Sequence, residues 1–112
     1  MTQLNQLMDI PGMLGAIRFL DDGSVDESIG SIDPEHAVLA AELCFANTRI
    51  AQQQGDLLVA FTGLGGWSPP RGWAMAGPEI SVCGMASVAC FVSNKEISYN
   101  TLFTVLYRVA HA

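Results

Sequence analysis

Cys83 and Cys90 come nearest to chemistry by type and spacing, because they stand on neighbouring predicted strands of one tight hairpin. Depending on the register of that hairpin they face each other or lie on opposite sides of the sheet. A facing pair would offer a thiol redox couple. The spacing is not Cys-x-x-Cys, however, and no Lys, Arg or His stands beside either residue to stabilise a thiolate, which favours buried structural thiols. Cys44 has no partner in sequence and reads as packing.

His36 follows Glu35 and the acidic stretch Asp21 to Asp33, which together hold residue types that bind metals. The stretch lacks the regular ligand spacing and central glycine of a calcium loop, and no second histidine is near, so these acids read as solvated turn and cap residues. Gly63-x-Gly65-Gly66 is not a dinucleotide fingerprint, since Pro69-Pro70 stands where a helix would have to begin. There is no Gly-x-Ser-x-Gly elbow, phosphate loop or zinc-protease motif. The chain is therefore expected to be no enzyme and to need no cofactor or metal. Trp67, Arg71 and Trp73 flank Pro69-Pro70, and two indoles with an arginine on a stiff loop are the material of protein-binding hot spots. The alternative is that both rings cover the open end of the core.

The elements that must carry these residues are marked by caps and periodicity. Asp33 is a suitable N-cap, Pro34 fits the first helical position and Glu35 complements the helix dipole. A long helix over about 34–64 follows. Leu39, Leu43, Ala46 and Ile50 form one stripe, and the small residues Ala37, Ala41, Cys44, Thr48 and Ala51 form a second. Large residues fill a core and small ones let another backbone come close. A helix that is apolar nearly all round is normally buried on more than one side, which points to a second chain as well as to its own sheet. Gly55 weakens the helix by about 1 kcal/mol relative to Ala, so the segment can bend there.

Around this helix, Leu4, Leu7 and Met8 share a face of a short helix that Pro11-Gly12 ends. Strands are expected at Met13 to Leu20 and Val25 to Ile29, joined by Asp21-Asp22-Gly23, and then at Trp73 to Gly77, Ile80 to Met85 and Val88 to Val92. Ser98 or Asn100 can cap a last helix with Leu102, Val105, Leu106 and Val109 on one side. The order α-β-β-α-β-β-β-α belongs to the α+β class, with a single sheet and helices packed on its faces.

Length and composition bound the role. The 112 residues suit one domain spanning 1–112, and a chain that is 50% hydrophobic and only 14% charged is poor in surface charge for a monomer. Its net charge of −6 and five scattered basic residues disfavour nucleic acid and anionic membranes as partners. The longest charge-free runs are too short and too rich in Gly, Pro or Ser to span a bilayer. No basic segment precedes an apolar one at the start, and three cysteines in apolar surroundings suit a reducing compartment, so a cytoplasmic location is expected.

Leu4-x-x-Leu7, Ile10-Pro11-Gly12, Gly15-Ala16-Ile17, the Asp22-Gly23 turn, the Ala-rich helix and the three-stranded ending together resemble the roadblock/dynein light chain family. Trp73-Ala74-Met75-Ala76-Gly77 and Val82-Cys83-Gly84 resemble a small prokaryotic branch of it. The resemblance implies a profilin-like fold with a five-stranded antiparallel sheet and a homodimer formed through the central helix and third strand. Carried over by position, it places Ala37, Ala40, Ala41, Cys44, Thr48 and Ala51 at that interface, with the strand near Trp73 to Gly77. It also implies a scaffold, adaptor or regulatory subunit whose partner is a small GTPase or a metabolic complex. The competing readings are a sensor that cups a small ligand and a thiol redox protein using Cys83 and Cys90.

Overall fold

The computed structural model describes residues 3–67 and 72–111. A 3-10 helix, Gln3–Asp9, leads into β1 (Met13–Phe19) and β2 (Val25–Gly30), then α1 (Pro34–Thr62), β3 (Trp73–Ala76), β4 (Ile80–Met85), β5 (Val88–Ser93) and α2 (Tyr99–Ala110). The five strands form one antiparallel sheet in the order β2-β1-β5-β4-β3. The class and element order match the sequence reading, with the short first helix wound as 3-10.

β2 and β3 are consecutive in sequence yet stand at opposite edges, so α1 must carry the chain across the whole sheet. Four strand spacings span only about 19 Å. The 29 residues of α1 extend about 43 Å, so the helix is much longer than the crossing requires. Its start is built as the residues dictate: the Asp33 side chain accepts from the His36 backbone N–H at 2.9 Å, with Pro34 as the first helical residue. Gly55 lies inside the helix and does not end it. Termination falls at Gly63, which takes the left-handed conformation, φ 71°, and donates its N–H to the Val59 carbonyl. The helix thus ends at Thr62, two residues short of the expected Leu64.

The sheet separates two cores of unequal depth. On one side Leu4, Leu7 and Ile10 of the N-terminal segment and Leu102, Leu106 and Val109 of α2 close over Ala16, Cys83, Met85, Val88, Cys90 and Val92. Ser98 caps α2 by accepting from the Thr101 N–H. On the other side α1 covers Ile17, Phe19 and Ala89 with Ala41 and Cys44. That layer is thin because the sheet and its surroundings already supply bulk there, in Phe19, Phe45, Trp73 and Phe91.

Candidate functional site

The distribution of side chains around α1 decides which surface is available. Ala41 and Cys44 are fully buried, and Ala37 nearly so. The close approach that small residues permit is therefore made to this chain's own sheet, and these three lie where no second chain can reach them. Thr48 is occupied as well, since its hydroxyl accepts from Trp73 Nε1 at 3.1 Å. Ala40 and Ala51 are half-buried along the flanks. Of the six residues expected at an interface, Ala37, Ala41 and Cys44 are thus buried within the protomer, while Ala40, Thr48 and Ala51 keep part of their surface.

The larger stripe faces outward. Leu39 is 63% exposed, and Leu43 and Ile50 are about half exposed. The helix reaches the edge strand where Ile50, Ala51 and Gln54 share a crevice with Trp73, Ala74 and Met75. It then continues for about two more turns. On those turns Leu57 is 70% and Phe61 87% exposed, and Leu64 follows just past the cap. Asn47 borders the same crevice, and its side-chain nitrogen is buried without a hydrogen-bond partner.

β3 lies beside this stripe as a sheet edge whose outer backbone groups pair with no strand among the described residues. Its residues Ala74, Met75 and Ala76 are exposed and apolar, with none of the charge or proline that usually blunts an edge. The opposite edge, β2, carries Asp26, Glu27 and Ser28. The sequence signal for the outward stripe was the continuation of Leu39, Leu43 and Ile50 through Leu57 and Phe61, a run too long to be absorbed by one small sheet.

The aromatic loop divides. Trp67 is exposed and stands just after α1, while Arg71 lies outside the described residues. Trp73 is half-buried, and its ring lies so close over Gly84 that an added Cβ there would come within 2.5 Å. With its indole nitrogen tied to Thr48, Trp73 serves as a wedge between α1 and the sheet and not as a free contact.

Cys83 and Cys90 are paired directly across β4 and β5, which settles the register question in favour of facing thiols. Both are fully buried, and Cys90 Sγ donates to the Cys83 carbonyl at 3.5 Å. Burial pushes the Cys83 thiol up to about 11 and Cys44 up to about 12. It raises Cys90 too, reinforced by the neighbouring sulfurs. All three are held as neutral thiols, the opposite of a reactive thiolate. His36 Nδ1 lies 2.9 Å from Asp33 Oδ2 at the helix cap. Among the described residues no three His, Cys, Asp or Glu side chains gather closely enough to hold a metal ion.

A second concavity, of about 640 Å³, opens between α2 and β3. Met85 and Phe103 give it an apolar floor, and Asn100, Thr104, Tyr107 and Arg108 supply polar groups. Trp73 also lines it, and was among the candidate contacts read from the sequence. The rest escaped notice because α2 and β3–β4 contribute them from positions far apart in the chain.

This arrangement of sheet, crossing helix and flanking helix is shared with solved Roadblock/LC7 and MglB structures. The Roadblock/LC7 domain from Streptomyces avermitilis superposes with a TM-score of 0.77 over 97% of this chain and 89% of that one, at 15% identity. Myxococcus xanthus MglB gives 0.69 over 98% and 85% at 11% identity, and an MglB described with a tetrameric arrangement gives 0.70 over 97% and 85% at 14%. No curated protein sequence matches the chain. Residues 3–108 match the family described as "Uncharacterized conserved protein (DUF2173)", and the chain belongs to that family.

Proposed function

We propose that the protein is a noncatalytic homodimeric adaptor or regulatory subunit that acts by protein contact. The observation that carries this reading is the exposed apolar stripe of α1 together with the unblunted edge of β3, which meet at the crevice that Ile50 and Ala51 share with Ala74 and Met75. A second copy would cover both at once, because a two-fold axis brings the same helix and the same strand edge to each other. The likeness to roadblock domains supports the reading, as does the tetrameric arrangement described for one MglB. Dimerisation would present two copies of the remaining surface to a partner, which the resemblance suggests is a small GTPase or a metabolic complex. No helix among the described residues is long and apolar enough to cross a membrane, and the protein is proposed to work in the cytoplasm. Sedimentation at micromolar concentration should give a dimer, and a clean monomer would reject the proposal.

A sensor function is the second reading, favoured by the concavity beside α2, where Arg108, the one cation among the described lining residues, borders an apolar floor. It requires a ligand-dependent rise in melting temperature, abolished by Phe103→Ala.

A further inference from the structure

We infer that the cleft between α2 and β3 takes a small organic monoanion, a carboxylate with a flat apolar body, held with its acid group at Arg108. This rests on the sensor reading above and adds the class and orientation of the ligand.

The charges that line the cleft set the class. The chain carries eleven acidic residues against five basic ones, yet the described residues around this cleft include one cation and no carboxylate. The other large concavity, of about 550 Å³ where α1 passes the β1–β2 and β4–β5 turns, holds Arg49 and Asp21 together and so prefers neither sign. Arg18 and Arg49 are also engaged within the protomer. Arg18 lies 3.8 Å from Glu27, and the Arg49 guanidinium lies over the Phe45 ring, 5.7 Å from its centroid. Arg108 forms no ion pair among the described residues, and its planar fork matches a carboxylate. One cation neutralises one charge. A di- or trianion such as inorganic phosphate would keep charge that the net −6 of the chain repels, so the ligand is a monoanion that draws the rest of its affinity from apolar contact.

The apolar contact is prepared by β3, β4 and α2 together. Gly72 has no side chain to lift the Phe103 ring, and a Cβ there would come within 2.8 Å of Phe103 Cε1. The half-buried ring thus lies low over the strands. Met85 forms the floor beside it, and Ala74 keeps the strand side shallow. A flat body laid on this floor meets an aromatic ring and a thioether, both of which favour aromatic contact.

Orientation follows from the two ends of the helix face. Asn100 and Arg108 are eight residues apart on α2, about 12 Å along its axis, which leaves room for a ring and a short chain between them. The Thr104 hydroxyl donates to the Asn100 carbonyl at 2.8 Å, so its proton is spent within the helix and only lone pairs remain for the cleft. An anion gains nothing there. Tyr107 stands beside Arg108 with its ring stacked on His111, centroids 4.3 Å apart, and offers a hydroxyl donor to the same end. The acid group therefore belongs at Arg108 and Tyr107, with the body running toward Asn100.

Three probes of one shape and different charge test this: cinnamate, cinnamamide and cinnamylammonium, each titrated into isotope-labelled protein and followed by backbone amide NMR. Cinnamate should give saturable shifts at Ala74, Met85, Phe103 and Arg108, and should bind about tenfold or more tighter than either of the others. Arg108→Gln should reduce the affinity for cinnamate to that for cinnamamide and leave cinnamamide unchanged. Arg108→Lys keeps the charge and loses the fork, so it should retain the preference for the acid with about threefold weaker binding. Arg108 also complements the dipole in the last turn of α2, but losing that role lowers stability alike with every probe and does not alter the preference among them. Equal binding of acid and amide, cinnamate binding untouched by Arg108→Gln, or saturable shifts around Phe45 and Arg49 in place of the α2 cleft each overturn the assignment. Equal binding within the α2 cleft leaves the sensor reading standing. Absence of saturable shifts with all three probes overturns the sensor reading as well.

Discussion

The α-helices α1 and α2 solve the same problem in different ways. α2 packs Leu102, Leu106 and Val109 into the deeper core and turns Asn100, Thr101, Thr104 and Arg108 outward, so its aliphatic stripe is consumed within the protomer and its large exposed side chains are the tyrosines Tyr99 and Tyr107. α1 buries a narrow strip of small residues and leaves Leu39, Leu43, Ile50, Leu57 and Phe61 in water. A helix whose role is completed by its own sheet needs one apolar face. One that keeps a second apolar face after folding has surface to offer another chain.

Substitutions that separate the two faces of α1 test this contrast most severely. Ala41→Glu puts a carboxylate into a fully buried position against Phe19 and Ala89, and should cost several kcal/mol, giving insoluble or unfolded protein and not a soluble monomer. Recovery of a folded monomer would show that Ala41 faces outward after all. Leu106→Ala in α2 should lower stability by about 2–5 kcal/mol in urea denaturation while the folded fraction keeps its oligomeric state. Leu43→Glu should behave in the opposite way. It should leave the protomer fold intact, yet weaken self-association by about 100-fold in sedimentation, since two apolar contacts are lost across a two-fold interface.

The thiols distinguish the faces through pH. Folding holds Cys44 and Cys83 above their ordinary value of 9.0, so the unfolded chain releases these protons first as pH rises. Their contribution to stability is complete below pH 9 and falls as pH rises toward about 11 for Cys83 and about 12 for Cys44. The slope is up to about 1.4 kcal/mol per pH unit for each thiol. Urea titrations at successive pH values should show this loss, and Cys44→Ala should make it shallower. The smallest effect concerns the wedge: Thr48→Val removes the acceptor for Trp73 Nε1 and should cost about 1 kcal/mol, with no change in dimer affinity.

Much of the fold was legible because its punctuation is local. Asp33-Pro34 begins α1, Ser98 begins α2, and the alternation in Val25 to Gly30 marks a strand with one wet face, all through interactions within a few residues. The end of α1 at Gly63 was not distinguished from Leu64, since the apolar spacing runs on past the cap. The proposed interface was legible only as an excess of apolar surface. Two stripes at helical spacing carry the same periodicity, and nothing in that periodicity says which one lies beneath the helix. The register of Cys83 and Cys90 was undetermined for a similar reason, because the count of residues in the Ala86-Ser87 turn becomes decisive only once the pairing is known. The concavity beside α2 was hidden because its lining is drawn from three separate elements.

By itself the sequence determined the kind and order of the elements, the absence of a recognisable catalytic motif, and the presence of more apolar helix surface than one small sheet can cover. Those properties follow from caps, periods and composition, which act over short distances. Only the tertiary structure decided that Ala41 and Cys44 lie on the sheet while Leu43 and Ile50 lie outside, that Trp73 is held by Thr48, and that β3 stands at the edge of the sheet. Each of these depends on which bulky side chains already occupy the space on that face of the sheet, and that is settled when distant strands pair and α1 is laid across them.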